Sequence, residues 1–301
     1  MCHTCRCVNN IVLKLSDMDA DLASRVREGD VVMLDGGDGT SVVVHLHGAT
    51  ALSWKCAGKE ILFLSKQAVL DNSKAIRGGI PLVFPQFGPW SCGPQHGFAR
   101  NKRWSVESQP STTADGTVTC SLSLSDDEDT RKAWNYRFKL VYTLELSKSA
   151  LTTRLTVNNT GDQSFTFTTL MHSYFLTPDI STTSVQGLKG LTYVDKVQNG
   201  QFTEDRDVVT IPENYDRVYQ KCPTTVSMDC SSHSVSVNLS NFPDVVVWNP
   251  WVEKAKGMSD FGDEEYKNML CVEAGSVSSP VQIDVGQTLS FQQTLQVQAK
   301  L

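Results

Sequence analysis

The chain has 301 residues, of which 40% are hydrophobic and 20% are charged, and this balance is ordinary for a globular protein with a sizeable core. Its 33 acidic and 27 basic side chains give a formal net charge of −6, which argues against nucleic acid or an anionic membrane as a general partner. No run approaches the ~20 apolar residues of a membrane span. We therefore expect any anionic ligand to be a small molecule.

We interpret residues 1–30 as an N-terminal extension, disordered in part, with a short helix over residues 16–28 capped by Ser16. The extension lacks the apolar core of a signal peptide, and nine cysteines without framework spacing indicate reduced thiols in an intracellular protein. Three cysteines near the start have the spacing of a metal or redox cluster beside His3; they are Cys2, Cys5 and Cys7. Because a structural zinc site needs four ligands held by a fold, we favour free thiols and leave metal binding and modification open.

From residue 31 onward the pattern becomes that of β-strands. Alternating apolar residues flank the turn residues 35–39, which predicts a hairpin. Further strand candidates recur about every ten residues, at 117–125, 137–147, 151–161, 164–175, 234–240, 244–249 and 289–298. A short segment at 263–269 is the one later stretch with helical character. The sequence therefore predicts an all-β, single-domain antiparallel sandwich over residues 31–298.

The segment between Lys74 and Trp104 interrupts this pattern. It contains five basic residues and no acidic one, and its five glycines and four prolines exclude a long helix or strand. Long irregular loops in compact domains are usually functional, and guanidinium groups are good anion ligands. We interpret the segment as an anion-binding wall, with a basic surface loop as the alternative.

Two motifs in this loop, RGGIPLVFPQFGPW at 77–90 and HGFARNKRW at 96–104, resemble those of the hexose-6-phosphate mutarotases in the galactose-mutarotase-like superfamily. The similarity continues through residues 171–180, 187–196, 214–220 and 248–277. The resemblance implies a β-supersandwich and a monomeric isomerase, without cofactor or metal, that interconverts the anomers of hexose 6-phosphates. Its partner would be a small hexose phosphate, with no role for nucleic acid or membrane.

Opening and reclosing a hemiacetal ring needs a base at the anomeric hydroxyl and an acid at the ring oxygen, and His and Glu suit these roles. Strand alternation places Phe165, Phe167 and Met171 on one face and His172 on the other, away from the aromatic face. Taken alone, a histidine in this position is more often structural than catalytic. The resemblance implies that it is the general acid.

Glu273 follows a short apolar run in which Met269, Cys271 and Glu273 share a face, and the next residues, Ala-Gly, are predicted to end the strand. A carboxylate among apolar neighbours should have a raised pKa or a polar ligand, although an exposed strand terminus is the alternative. The resemblance implies that Glu273 is the general base. It also implies that Asp216 binds sugar hydroxyls, with an ion pair to Arg217 as the alternative.

The resemblance assigns ligand contacts in the loop to Arg77, Gln95 and Arg100, where two guanidinium groups would hold a phosphate. We interpret the adjacent His96 as contacting sugar or stabilising the loop, with no part in proton transfer. Three aromatic residues are candidates either for stacking on a sugar ring or for the core: Phe87, Trp90 and Trp248.

The sequence thus favours an α/β anomer isomerase for hexose 6-phosphates, most of all D-glucose 6-phosphate. An epimerase of unphosphorylated aldoses and a catalytically silent sugar-phosphate-binding protein are the alternatives. The ending Ala299-Lys300-Leu301 resembles a peroxisomal targeting tripeptide, so we expect either the cytoplasm or a microbody such as a peroxisome or glycosome.

Overall fold

The computed structural model describes residues 18–299, in which antiparallel strands dominate. The strands are β1 Val31–Gly37, β2 Thr40–His45, β3 Thr50–Cys56, β4 Lys59–Glu60, β5 Leu82–Val83, β6 Ser105–Thr112, β7 Val118–Ser125, β8 Phe138–Leu146, β9 Ala150–Asn159, β10 Phe165–Met171, β11 Tyr174–Leu176, β12 Ser184–Gln186, β13 Thr192–Asp195, β14 Gly200–Thr203, β15 Val208–Thr210, β16 Tyr215–Tyr219, β17 Thr225–Asp229, β18 His233–Ser240, β19 Asp244–Asn249, β20 Met269–Ile283 and β21 Thr288–Ala299. The helices are α1 Ala20–Arg25, α2 Glu128–Ala133 and α3 Trp251–Lys256, with short 3-10 turns at Ala99–Asn101, Ile180–Thr182 and Glu265–Asn268.

The strands form two large sheets and one small one. The first large sheet has the order β14-β13-β16-β19-β20-β10-β5, with β11 also paired to β20. The second has the order β15-β12-β17-β18-β21-β9-β8-β7-β6, and the small sheet has the order β1-β2-β3-β4. The prediction of an all-β antiparallel supersandwich is confirmed.

One extended hydrophobic core contains residues from both large sheets. Phe165, Phe167 and Met171 of β10 pack in it together with Leu140 of β8 and Leu295 of β21. Buried residues alternate with partly exposed ones in β8 of the second large sheet, because successive side chains point to opposite faces. In the first large sheet the central strands β10, β19 and β20 are largely buried on both faces, so one face packs on this core and the other face is covered by further residues.

The helical segments differ in part from the prediction. Helix α1 is shorter than residues 16–28, and its N-cap is Asp19, whose side chain accepts a hydrogen bond from the backbone N–H of Asp21, while Ser16 lies outside the described residues. Leu22 and Val26 pack in a small cluster with β1 and β2, so this part of the N-terminal extension is held against the sandwich. Helices α2 and α3 were not predicted, because one and a half turns give too little periodicity to detect.

Strand β20 corrects the prediction that Ala-Gly ends the strand after Glu273. The strand runs on to Ile283, and Ala274 and Gly275 pair with both β10 and β19. Glu273 therefore lies inside a central strand, where it pairs with Val246 of β19.

Some predictions concern residues at the two ends of the chain. The Cys2, Cys5 and Cys7 cluster lies outside the described residues, as do Lys300 and Leu301, so the cluster and the targeting tripeptide stay predictions. The cysteines between residues 18 and 299 are all free thiols, as predicted. No helix in this range is long and apolar enough to cross a membrane.

Gly97 connects the basic loop to the sheet and has a left-handed φ of +74°. A Cβ at this position would collide with the carbonyl oxygen of Phe84, whereas a Cβ at Gly88, with a φ of +78°, would meet nothing within 4 Å. Gly88→Ala should lower the free energy of unfolding by about 1 to 2 kcal/mol through its left-handed conformation alone. Gly97→Ala should lower the free energy of unfolding by at least ~1 kcal/mol more than Gly88→Ala does, because its Cβ would collide with Phe84. Urea unfolding of the two variants measures the difference, and equal losses would contradict this close approach.

Candidate active site

Strand register brings four site residues into one row across the first large sheet. Tyr174 of β11 lies opposite Cys271 of β20, Cys271 lies opposite Trp248 of β19, and Trp248 lies opposite Asp216 of β16. Residues directly opposite each other point to the same face of a sheet, so the four side chains form a continuous surface. Glu273 is two residues from Cys271 and points to this same face.

This surface lies on the face turned away from the main core. Leu170 packs there with Val83, Val218 and Val246 in a separate small cluster, while its strand neighbour Met171 packs in the core. His172 comes directly after the end of β10, and its backbone N–H donates to the carbonyl oxygen of Pro81. The alternation read from the sequence therefore places His172 on the correct face.

His172 and Glu273 form a buried pair on this surface. Nδ1 of His172 lies 3.3 Å from Oε1 of Glu273, and the two residues are only 7% and 1% exposed. The contact is short but is not aligned as a hydrogen bond, since Nδ1 of His172 and Oε2 of Glu273 have no hydrogen-bond partner among the described residues. Leaving a buried polar atom unpaired costs about 1 to 3 kcal/mol, so a polar ligand that pairs with both atoms would bind favourably here.

Burial shifts the pKa values of the pair in opposite directions. The pKa of His172 is well below its usual value because of burial and, to a smaller extent, the nearby His96 and Arg100. The pKa of Glu273 is well above its usual value because of burial and the nearby Asp216 carboxylate, which outweigh Lys196 and Arg100. Without a ligand these shifts favour the neutral pair, with the proton on Glu273, so the roles of base for Glu273 and acid for His172 require a bound substrate that stabilises the charged forms of both groups.

Aromatic rings fix the orientation of His172. Its ring stacks on Tyr174 with centroids 4.6 Å apart and an interplanar angle of 9°. Trp248 and His96 each contact the imidazole edge to face, with centroids 5.9 Å away. Of the three aromatic candidates, Trp248 thus contacts the site, Phe87 lies against His96, and Trp90 packs against Phe98 at the main core.

Arg77 is held by groups that sequence reasoning did not identify. Its Nε donates to Oδ1 of Asp260 at 3.2 Å, and its Nη1 donates to the hydroxyl of Tyr174 at 3.2 Å. Lys74 forms a second ion pair with Asp260 at 3.3 Å. Asp260 therefore neutralises part of the positive charge of the loop and links Arg77 to the ring that stacks on His172.

Arg100 differs from the other cations of the loop. Lys102 pairs with Asp127 at 2.8 Å and Arg103 pairs with Asp30, whereas no described carboxylate lies within ion-pair distance of Arg100. Nη2 of Arg100 donates to the backbone carbonyl of Gln95 at 2.8 Å, and its Nε is buried with no partner in the part of the chain that the structure describes. Burial and the charge of Arg77 lower the pKa of Arg100 to about 10, so it stays charged at neutral pH.

Gln95 and His96 line the loop beside Arg100. Nδ1 of His96 accepts the backbone N–H of Gly88 at 3.1 Å, which places the proton of the neutral ring on Nε2. Burial and the nearby Arg100 lower the pKa of His96 to about 3, so the ring is neutral. The Gln95 side chain is exposed, and its amide nitrogen lies 3.4 Å from Nε2 of His96. Both residues can donate hydrogen bonds to a ligand in the pocket.

Asp216 does not pair with Arg217, because the two side chains point to opposite faces of β16. Arg217 binds Asp195 on the core side, at 2.9 Å. Oδ2 of Asp216 lies 3.9 Å from Nζ of Lys254, and burial raises the pKa of Asp216. Its backbone carbonyl accepts the N–H of Lys196, whose ammonium lies 4.0 Å from the centroid of the Phe87 ring.

The structure therefore brings together His172, Glu273 and Asp216 on the sheet and Arg77, Gln95, His96 and Arg100 on the loop. Sequence reasoning missed Tyr174, Asp260 and Lys196. Alternation gives a signal for Tyr174, which is two residues from His172, and Lys196 belongs to a recognised motif. Asp260 is 183 residues from Arg77, so no local pattern connects the two.

Asp260→Asn tests the buried ion pair. Burial alone would raise the pKa of Asp260, but Arg77 and Lys74 outweigh it and hold this pKa below its usual value. A lowered pKa means that the stabilisation is present above about pH 4 and is lost as the pH falls through the folded-state pKa. At pH 7 the variant should lose about 1 to 3 kcal/mol in free energy of unfolding.

Urea unfolding of wild type and Asp260→Asn between pH 3 and 7 should show this difference shrinking at acidic pH. The matched control is Asp207→Asn, which breaks the exposed ion pair with Lys189 and should cost at most about 0.5 kcal/mol. A difference between wild type and Asp260→Asn that does not depend on pH would contradict the interpretation.

A β-supersandwich with a buried His–Glu pair on one sheet face, beside a basic loop, defines a mutarotase-type enzyme. The sequence profile of the family described as aldose 1-epimerase matches residues 30–296. The chain belongs to the aldose 1-epimerase family, and the family resemblance noted in the sequence is confirmed.

Individual relatives agree with this assignment. A protein of Cenchrus ciliaris named "Putative glucose-6-phosphate 1-epimerase" is 38% identical over 266 residues, which cover 85% of this chain and 81% of that protein. An Escherichia coli K12 protein of the same name is 34% identical over 259 residues, covering 84% and 85%. A solved structure described as a putative mutarotase from Salmonella typhimurium superposes with a TM-score of 0.83 at 29% identity, covering 91% of this chain and 92% of that one.

Proposed function

We propose that this enzyme interconverts the α and β anomers of hexose 6-phosphates, with D-glucose 6-phosphate as the preferred substrate. The His172–Glu273 pair carries the proposal, because it places a proton donor and a proton acceptor 3.3 Å apart on a surface with unpaired polar atoms. The names of the Cenchrus and Escherichia relatives support the choice of hexose phosphate.

In this mechanism Glu273 removes the proton of the anomeric hydroxyl while His172 donates a proton to the ring oxygen. The C1–O5 bond breaks, a free aldehyde forms, and rotation about C1–C2 exposes its other face. On reclosure the two groups exchange roles, so that the enzyme returns to its initial protonation state. Asp216 would accept hydrogen bonds from sugar hydroxyls, and Trp248 would provide an apolar surface beside the ring.

The proposed phosphate contacts are Arg100 and Arg77, with Gln95 and His96 as neutral donors. No carboxylate among residues 18–299 pairs with Arg100, so a phosphate would supply the charge that this half-buried guanidinium needs. Arg77 is already paired with Asp260. We therefore expect it to orient the phosphate as much as to balance its charge.

The pairing of Arg77 with Asp260 also favours a second candidate function, an epimerase of unphosphorylated aldoses. If protein carboxylates neutralised both arginines, the site would need no negative charge from the substrate and could bind a neutral sugar. The choice between the two functions therefore depends on Arg100.

The test is NMR magnetisation exchange between the two anomers, measured with and without the protein. The substrates to compare are glucose 6-phosphate, galactose 6-phosphate and free glucose. Exchange that is accelerated most for a 6-phosphate supports the proposal, and equal acceleration of free glucose supports the second candidate. No acceleration of any aldose would contradict both.

A further inference from the structure

Cys271 lies in the same buried pocket as the proposed acid/base pair, and the mechanism does not use it. Ligand atoms of His172, Cys271 and Glu273 all lie within 4.8 Å of one another, and the three residues are buried. Imidazole, thiolate and carboxylate together form a ligand set that suits zinc.

We propose that this pocket binds a soft divalent cation, zinc first among them, through His172, Cys271 and Glu273, and that the bound ion inhibits the enzyme. Two independent observations point to a ligand here. The three donor atoms converge, and Nδ1 of His172 and Oε2 of Glu273 are buried without hydrogen-bond partners within residues 18–299. The metal-binding part does not depend on the proposed substrate, whereas the inhibition part rests on the proposed roles of His172 and Glu273.

The geometry needs only a small adjustment. Zinc bonds of about 2.0 to 2.3 Å place tetrahedral ligand atoms about 3.3 to 3.8 Å apart. The 3.3 Å between His172 and Glu273 already fits, and since all three ligand atoms lie within 4.8 Å of one another, the others need to move by at most about 1 to 1.5 Å.

Inhibition follows from the chemistry of the ligands. Binding replaces the thiol proton of Cys271, which is released to solvent, and it occupies the lone pairs that His172 and Glu273 need for proton transfer. The three residues leave the fourth tetrahedral position to water or another small ligand, as in three-ligand zinc sites. Magnesium should not bind, because it prefers oxygen ligands in octahedral geometry.

The first experiment follows glucose 6-phosphate anomer exchange in a phosphate-free buffer as zinc is added. Zinc should abolish exchange, EDTA should restore it, and magnesium at the same concentration should have no effect. Cys271→Ser, with each rate taken relative to its own rate without zinc, should need at least ~10-fold more zinc for half inhibition than wild type, since even the loss of an outer partner of a metal ligand costs about that much affinity.

Two controls separate this site from other thiols. Cys92→Ser removes an exposed thiol of the basic loop, and a triple serine variant of Cys2, Cys5 and Cys7 removes the N-terminal cluster. Both should be inhibited at the same zinc concentration as wild type. Equal zinc sensitivity of Cys271→Ser and wild type would overturn the proposal.

The second experiment detects the metal without measuring turnover. Cobalt added to the triple serine variant should give a thiolate-to-cobalt charge-transfer band in the near ultraviolet. A further Cys271→Ser or Cys271→Ala change should remove the band, and Glu273→Gln should weaken cobalt binding by about 10-fold or more. A band unaffected by every change would overturn the proposal. Because cobalt binding is independent of the sugar, this result stands even if glucose 6-phosphate is not a substrate.

Discussion

His172→Ala and Glu273→Gln should each slow anomer exchange of glucose 6-phosphate by at least ~100-fold, the usual scale for losing one general acid or base. Affinity for the sugar phosphate should stay within a few-fold, because the arginines that we expect to bind phosphate are unchanged. Exchange spectroscopy gives the rates, and binding calorimetry gives the affinities. In the double variant the exchange rate should fall by much less than the product of the two single effects, because neither group catalyses the reaction well without the other.

Glu204→Gln is the matched control for Glu273→Gln. Glu204 is equally buried at 2% exposure, but it lies on the core side of the same sheet, where it binds Arg206 and the hydroxyl of Tyr219. The control should lower stability and leave the exchange rate of the folded protein within a few-fold of wild type. Near wild-type exchange in His172→Ala or Glu273→Gln would show that the proposed roles are wrong.

Much of the architecture that positions this pair follows from the sequence. Apolar alternation marks the strands that carry the core, and the same alternation separates Met171 from His172 and groups Cys271 with Glu273. What alternation cannot give is the order of strands in a sheet. The row from Tyr174 to Asp216 depends on β11, β20, β19 and β16 being neighbours in register, although β11 and β20 are separated by eight other strands along the chain.

Electrostatic pairing was the other part that sequence could not supply. The basic loop has no acidic residue of its own, so it reads as a positive patch, yet Asp30, Asp127 and Asp260 reach it from other parts of the chain. The extent of β20 was misjudged for a related reason. Gly275 weakens a strand in isolation, but pairing on both sides stabilises it within a central strand.

Arg100→Ala should raise the KM for glucose 6-phosphate by roughly ten- to a hundredfold, because hydrogen bonds to charged groups contribute about 1.5 to 3 kcal/mol. The effect on kcat should be smaller, and the weak exchange of free glucose should hardly change, because the phosphate is remote from C1. Added salt should partly imitate the substitution, since charge attraction is screened over about 8 to 10 Å. Steady-state exchange rates for both sugars, at low and moderate ionic strength, measure all three effects.

Lys102→Ala is the control, because Lys102 lies in the same loop but is already paired with Asp127. It should change the KM by no more than a few-fold, and an effect as large as that of Arg100→Ala would make the loop a diffuse basic patch. Arg77→Ala should also raise the KM, but it should lower kcat as well, because Arg77 contacts Tyr174, the ring that stacks on His172. If Arg100→Ala lowers exchange equally for free glucose and glucose 6-phosphate, Arg100 is structural and the epimerase of unphosphorylated aldoses becomes the better assignment.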